Sequence, residues 1–273
     1  MKDIKEITER LEKGVKDIFD SGRFYEYLSF MGRFHAYSVS NTILIWLQMP
    51  KASYVAGYRA WQEKFKRQVR KGEKAITILA PCPHKFVKEV TNEDGEKEQV
   101  EVTYKNFRPV SVFDISQTDG EDVPELAVRL TGDVEDYEPL LAKLEGLSPV
   151  PVSFEETNDG SNGYYRLDEK RIVVKSGMSQ RQTIKTLVHE ISHAILHDKD
   201  TGTEKDAGKN LREVQAESVA YTVCSALGLD TSDYSFGYVA GWSGEKEVKE
   251  LLASMQVIRD TASFILGKME EAV

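Results

Sequence analysis

The chain has 273 residues, 40% of them hydrophobic and 30% charged, a balance that fits a soluble globular protein with one large or two modest domains. No apolar run approaches the roughly 20 residues needed to span a bilayer, and the longest, "TILIWLQM" from Thr42, is too short. The net charge of −9 is unevenly spread: residues 1–85 carry 16 Lys+Arg against 9 Asp+Glu, the remainder 20 against 36, so the two halves are expected to meet different partners.

The opening stretch "MKDIKEITERLEKG" alternates charges and lacks an apolar core, so no secretory signal is expected. Residues 3–20 read as an amphipathic helix, with Ile4, Ile7, Leu11, Val15 and Ile18 at three- and four-residue spacing. A second helix is expected over about 23–31. A third begins near Ser40–Asn41, which are good capping residues, and carries Ile43, Leu44, Trp46 and Leu47 up to Pro50. "VAGYRAWQEKF" reads as a short helix after a turn, and "KAITILAP" as a buried strand. Two alternating runs around "NEDGEK" form a hairpin, and "RPVSVFDI" supplies another strand. Cys82 and Cys224 lie far apart in apolar surroundings and read as free thiols of a reducing compartment, which implies a cytoplasmic location.

After Gln117 the composition turns acidic and Gly/Pro-containing, which places a linker within 118–135. The second half is expected to hold a helix at about 136–145, three short strand-like pieces, and a helix capped by Ser179 with Gln182 completing a capping box. Another helix runs from about Leu211 to Leu227 with Gly228 after its end, and the last covers about 245–267. The element list is that of an α+β protein.

The helix after Ser179 contains "HEISH". His189 and His193, four residues apart, project from one helix face and can grip one tetrahedral ion, while Glu190 stands ready as general base. The competing reading is an amphipathic helix that happens to carry histidines. Downstream, Glu213 and Glu217 share a helix face and are candidates for a third ligand and for a carboxylate that orients a histidine. They could equally be a solvated face. Three histidines at i, i+4 and i+8 drift round a helix, so His197 reads as a bystander or a surface residue. Tyr234 and Tyr238 are possible oxyanion donors, with core packing as the alternative. Zinc suits two histidines and a glutamate, though another divalent metal is possible.

In the basic half, aromatic and cationic residues interleave. Tyr58 and Trp61 could stack on unpaired bases while Lys64, Arg67, Arg70, Lys71 and Lys74 track phosphates, a combination suited to single-stranded nucleic acid. A solvated basic hairpin with core aromatics accounts for the same spacing.

The E-x-x-A-E element at Glu213–Glu217 resembles the E-x-x-S-D element of thermolysin-like gluzincins, which implies Glu213 as ligand and Glu217 as the partner of His189. The stretch "YSVSNTILIWLQMPKASYVAGYRAWQEKFKRQVRKGEKAITILAP", with Ser40–Asn41, "GYRAW" and "VRKGEKAITILAP", resembles the N-terminal single-stranded-DNA-binding domain of ArdC-type antirestriction proteins. "VFDISQT" resembles that domain's end. "TLVHEISHAILH" with "REVQAESVAY" is similar to the zincin domain of the ArdC and ImmA/IrrE group. The resemblance implies an α+β single-stranded-DNA-binding domain at 1–120, with Asn41 among its contacts. An acidic linker at 121–135 and a zincin-like α+β metallopeptidase domain at 136–273 follow. It implies an antirestriction protein of a mobile element, with single-stranded DNA as partner, no membrane, and zinc in its second domain. In that group the zincin fold does not guarantee peptidase activity. The alternative is an ImmA-like regulatory metalloprotease that cleaves a repressor or another protein substrate.

Overall fold

The computed structural model describes residues 4–91, 97–121, 137–157, 160–204, 206–229, 231, 243–244 and 246–270. They contain helices α1 (Ile4–Asp20), α2 (Phe24–Arg33), α3 (Val39–Gln48), α4 (Tyr58–Glu63), α5 (Tyr137–Leu147), α6 (Gln180–His197), α7 (Lys209–Ala226) and α8 (Val248–Glu270). The strands are β1 (Val55–Gly57), β2 (Arg67–Val69), β3 (Ile76–Thr91), β4 (Lys97–Asp114), β5 (Thr118–Gly120), β6 (Val152–Glu155), β7 (Gly163–Arg166) and β8 (Arg171–Lys175). The expected α+β class holds. None of the described helices is long and apolar enough to cross a membrane. All of the turn "NEDGEK" but Lys97, nearly all of the acidic linker, and Tyr234, Tyr238 and Trp242 lie outside the described residues.

The chain divides into two compact units, one of residues 1–11 and 43–121, the other of 12–42 and 122–273. One division falls inside α1 and another inside α3. Residues 12–42, which the sequence reading assigned to an N-terminal domain, therefore pack in the second unit. The physical reason is visible at Gly32 of α2, where a Cβ would stand 2.8 Å from the Thr222 carbonyl of α7, so only a hydrogen allows this approach. Ser29 and Ser225 hydroxyls meet at 2.7 Å across the same helix pair.

In the first unit, β4 is the central strand of a three-stranded sheet, order β1-β4-β3, antiparallel throughout. β3 runs unbroken for 16 residues through Pro81 and Pro83, where the sequence reading ended one strand and began another. β3 is an edge strand, and there a proline costs no ladder hydrogen bond if its nitrogen faces outward. The corner after β4 is built by Asp114 and Gln117. The Asp114 carboxylate accepts from the N–H groups of Ser53 (2.8 Å), Tyr54 (3.0 Å) and Ser116 (3.0 Å), and the Gln117 side chain accepts from Asp114 N–H at 2.9 Å. These are the residues of "VFDISQT", whose role is to fold the chain back so that β5 pairs with β2. At α3 the cap is Ser38, which accepts from Asn41 N–H at 3.3 Å, and the helix starts before the expected Ser40.

In the second unit, β8 is the middle strand of β6-β8-β7, parallel to β6 and antiparallel to β7. Ile172, Val173 and Val174 of β8 are fully buried, as a strand covered on both faces requires. α6 lies against this sheet. A Cβ at Gly163 would meet Thr186 Cγ2 at 2.6 Å and the Val173 carbonyl at 2.9 Å, so glycine sets how closely β7 and α6 approach. Ser179 caps α6 through Gln182 N–H at 3.3 Å, but the Gln182 side chain turns to Thr186 (3.2 Å), leaving the capping box half made. α7 ends in a Schellman motif: Leu229 N–H donates to Cys224 O (2.9 Å), Gly228 N–H to Ser225 O (3.1 Å), and Gly228 takes φ +75°.

Candidate metal centre

Helical periodicity puts His189 and His193 on successive turns of α6, and their Nε2 atoms stand 3.1 Å apart. Glu213 of α7 brings its Oε2 to 3.8 Å from both nitrogens. Donor atoms held on a tetrahedral ion by bonds of ~2.1 Å are about 3.4 Å apart, so this triangle is close to the size a divalent cation requires. The donor set, two imidazoles and a carboxylate, also fits such a group. α6 packs against α7, and apolar side chains of the two helices near these groups, Leu187, Val188, Ile191, Ala216, Val219 and Ala220, are buried.

Each histidine has a partner behind it. His189 Nδ1 lies 3.1 Å from Glu217 Oε2, close in distance though off the line of an ideal hydrogen bond. Burial depresses the His189 imidazolium, but Glu217, Glu190 and Glu213 outweigh it, and the pKa lies above the ordinary histidine value. His193 Nδ1 lies 2.9 Å from His197 Nδ1. His197 Nε2 lies 3.0 Å from Gln215 Oε1. His197 is 2% exposed, so the surface reading of this residue is corrected: it packs behind the site and touches one of its histidines. Burial holds its pKa down at about 4, so it is neutral at pH 7.

Glu190 is 6% exposed. Burial raises its pKa, the two histidines pull it partly back, and the Tyr165 N–H of β7 donates to its carboxylate. A carboxylate with raised proton affinity beside a cation site is suited to hold and release a proton. Tyr165 also uses its hydroxyl: it donates to Asp198, which follows the last turn of α6, and Lys170 bridges to the same carboxylate oxygen. Asp198 Oδ1 in turn caps the N–H groups of Asp200 (2.9 Å) and Thr201 (3.0 Å). These contacts lower the Asp198 pKa, and Tyr165 ties β7 both to Glu190 and to the C-terminal end of α6. A cleft of about 700 Å³ opens here, lined among others by Tyr164, Tyr165, Glu190, Lys209 and Arg212.

Sequence spacing therefore pointed to His189, Glu190, His193, Glu213 and Glu217, and the fold brings all five together. It missed Gln215 and Tyr165. A buried glutamine in a helix and a tyrosine in a four-residue strand carry no spacing signal, whereas His197 had one in its i+4 relation to His193.

The candidate nucleic-acid residues fare differently. Trp61 is fully buried and its indole N–H donates to Phe113 O at 2.9 Å, so it presents no ring face for stacking and the base-contact reading of Trp61 is corrected. Arg67 donates to Thr118 Oγ1 (2.8 Å), Thr118 O (2.9 Å), Gly120 O (3.1 Å) and Glu121 O. Arg70 is held by Glu73 (2.9 Å), Asp119 (3.2 Å) and Ser116 O. Both arginines pin β2 to β5 and its corner. Tyr58, Lys64, Lys71 and Lys74 are exposed, as are Arg59 and Lys66, and Asn41 is half-buried. The Tyr58 hydroxyl accepts from Gln68 at 2.7 Å.

Comparison with known families gives the two halves separate matches. The family model of the N-terminal domain of anti-restriction factor ArdC matches residues 3–113. The IrrE N-terminal-like domain, of the peptidase M78 family, matches 148–251, which includes the histidine–glutamate cluster. The chain is an ArdC-like protein. The crystal structure of antirestriction ArdC protein from the R388 plasmid aligns with 90% of this ArdC-like chain and 97% of its own, with a TM-score of 0.52 and 19% identity. Its Mn(II)-bound form aligns equally well at 18% identity. At these identities the likeness is one of fold. An uncharacterized protein of Bacillus anthracis is 24% identical over 306 aligned positions, which take in 98% of this ArdC-like chain. The chain spans about half (51%) of that relative's length.

Proposed function

We propose that this ArdC-like chain is a single-stranded-DNA-binding antirestriction protein of a mobile element, acting in the cytoplasm, whose second half carries a zinc site of the metallopeptidase kind. The carrying observation is the joining, in one chain, of an ArdC N-terminal domain match to an IrrE-like match that contains three convergent cation ligands. The name of the R388 relative, an antirestriction protein, favours the same biology.

DNA contact falls to the cations left on the surface of the Tyr58–Lys74 segment. Lys64, Lys66, Lys71 and Lys74, with Arg59, offer charge to phosphates, and exposed Tyr58 offers a ring edge and face to bases. In the second half, His189, His193 and Glu213 would hold the metal. When bound, it would supply a Lewis acid and a water of lowered pKa. Glu190, buried and held by the Tyr165 N–H, would take up and return a proton. Glu217 would hold His189 by its Nδ1.

The test is a fluorescence-polarisation titration of the full chain with single- and double-stranded oligonucleotides at two salt concentrations. Tighter binding to the single strand that weakens steeply with salt, and survives Glu190→Gln, is the expected result. Absence of binding at low salt overturns the proposal.

A further inference from the structure

We infer that His197 and Gln215 are positioning residues that fix the tautomer of His193, so that its Nε2 faces the cation site bare of a proton. The inference rests on the cation-site reading above only for its purpose, since the hydrogen-bond logic stands without it.

The chain of hydrogen bonds begins at Glu204. Its carboxylate can only accept, and it lies 3.4 Å from the Gln215 side-chain nitrogen. That contact decides which end of the amide is which: the NH2 turns to Glu204 and the oxygen to His197. The Gln215 oxygen is an acceptor, so His197 Nε2, 3.0 Å away, carries the proton. A neutral imidazole protonated at Nε2 has a lone pair at Nδ1. His193 Nδ1 lies 2.9 Å from that lone pair, so it must be the donor. The remaining nitrogen of His193, Nε2, is left as a lone pair aimed toward His189 Nε2 at 3.1 Å and Glu213 Oε2 at 3.8 Å. Glu217 asks the same of His189 from the other side, since a carboxylate 3.1 Å from Nδ1 favours a proton there. Two bare nitrogens 3.1 Å apart and a carboxylate repel one another unless positive charge lies between them. The relay thus makes the site selective for a cation before any cation arrives.

The middle of the relay is buried: Gln215 is 1% exposed and His197 2%. In that setting each hydrogen bond is strong, and a missing partner is costly. Neither residue offers a ligand atom to the three-donor cluster, so their contribution passes through His193 alone.

The chain holds five histidines, so selective labelling with 15N-histidine gives a ring spectrum simple enough to assign. Long-range proton–nitrogen correlation should show His193 protonated at Nδ1. In His197→Phe, which keeps the ring but removes the acceptor, that population should shift toward the Nε2-protonated form. Affinity for Zn2+, Co2+ and Mn2+, read by competition with a chromophoric chelator, should fall about 10- to 100-fold in His197→Phe. His197→Asn, whose side-chain oxygen can take the place of Nδ1, should restore it to within about threefold. Gln215→Leu, which removes only the acceptor of His197, gives an independent reading where His197→Phe fails to fold. His193 protonated at Nε2 in the unaltered chain overturns the inference. So does a folded His197→Phe or Gln215→Leu chain that binds metal as the unaltered chain does. If the unaltered chain binds none of the three ions, the cation-site reading falls, and the tautomer spectrum alone decides the relay.

Discussion

Between α6 and α7, ionisable groups converge on one another and leave three donor atoms pointing into a common space. In the Tyr58–Lys74 segment, Arg67 and Arg70 are instead engaged by main-chain carbonyls and acidic neighbours of their own fold. Both regions are rich in charge, yet only the first is a built site. A charged side chain that is fully partnered by its own fold is a structural element, and its presence in a basic run says little about a ligand. The lysines, each with one compact charge on a flexible stem, remain outside, while the forked guanidinium of arginine suits several carbonyls at once.

That contrast can be broken experimentally. Trp61→Ala should cost the first unit about 3–5 kcal/mol in denaturant unfolding, because it empties a fully buried ring site and removes the indole hydrogen bond to the Phe113 carbonyl. A stable variant with weakened oligonucleotide binding would instead make Trp61 a contact residue. Glu213→Ala should lower divalent-cation affinity by at least about 100-fold, or ~2.7 kcal/mol, with little change in melting of the apo chain. Unchanged affinity by chelator competition would remove Glu213 from the ligand set. Arg67→Met should cost about 1.5–3 kcal/mol of stability through the loss of charge-assisted bonds to Thr118 and Gly120. If it left unfolding unchanged and reduced DNA affinity, the arginine would belong with the surface cations. Lys71→Gln should be the mildest: stability within about 0.5 kcal/mol, and a log–log salt slope of DNA binding smaller by about 1. An unaltered slope would place the phosphate path elsewhere on the surface.

Legibility in the sequence followed the same divide. An α-helix has a fixed angular step, so His189, His193, Glu213 and Glu217 could be placed on faces from their spacing alone. Apart from Glu73, three residues from Arg70, the partners of Arg67 and Arg70 come from β5 and the corner before it, about 50 residues away in sequence, and no local pattern announces them. The strand through Pro81 and Pro83 was unreadable for a related reason: whether proline ends a strand depends on its being at the sheet's edge, a tertiary property. The pairing of α2 with α7 brings Gly32 to Thr222 and Ser29 to Ser225, close approaches between distant segments that composition cannot foretell.

The pairing of α2 with α7 also has a consequence for how the protein is made. Ser29 and Ser225 are 196 residues apart in the chain. At a translation rate of roughly 5–20 residues per second, α2 leaves the ribosome about 10–40 s before its partner helix is synthesised. Through that interval Tyr25, Ser29 and Gly32 wait without Tyr221, Ser225 and Thr222, the α7 residues they meet in the finished fold. The packing of α2 is thus completed only once α7 has been made, and nascent chains stalled between the two helices should be held by chaperones longer than chains stalled after α7.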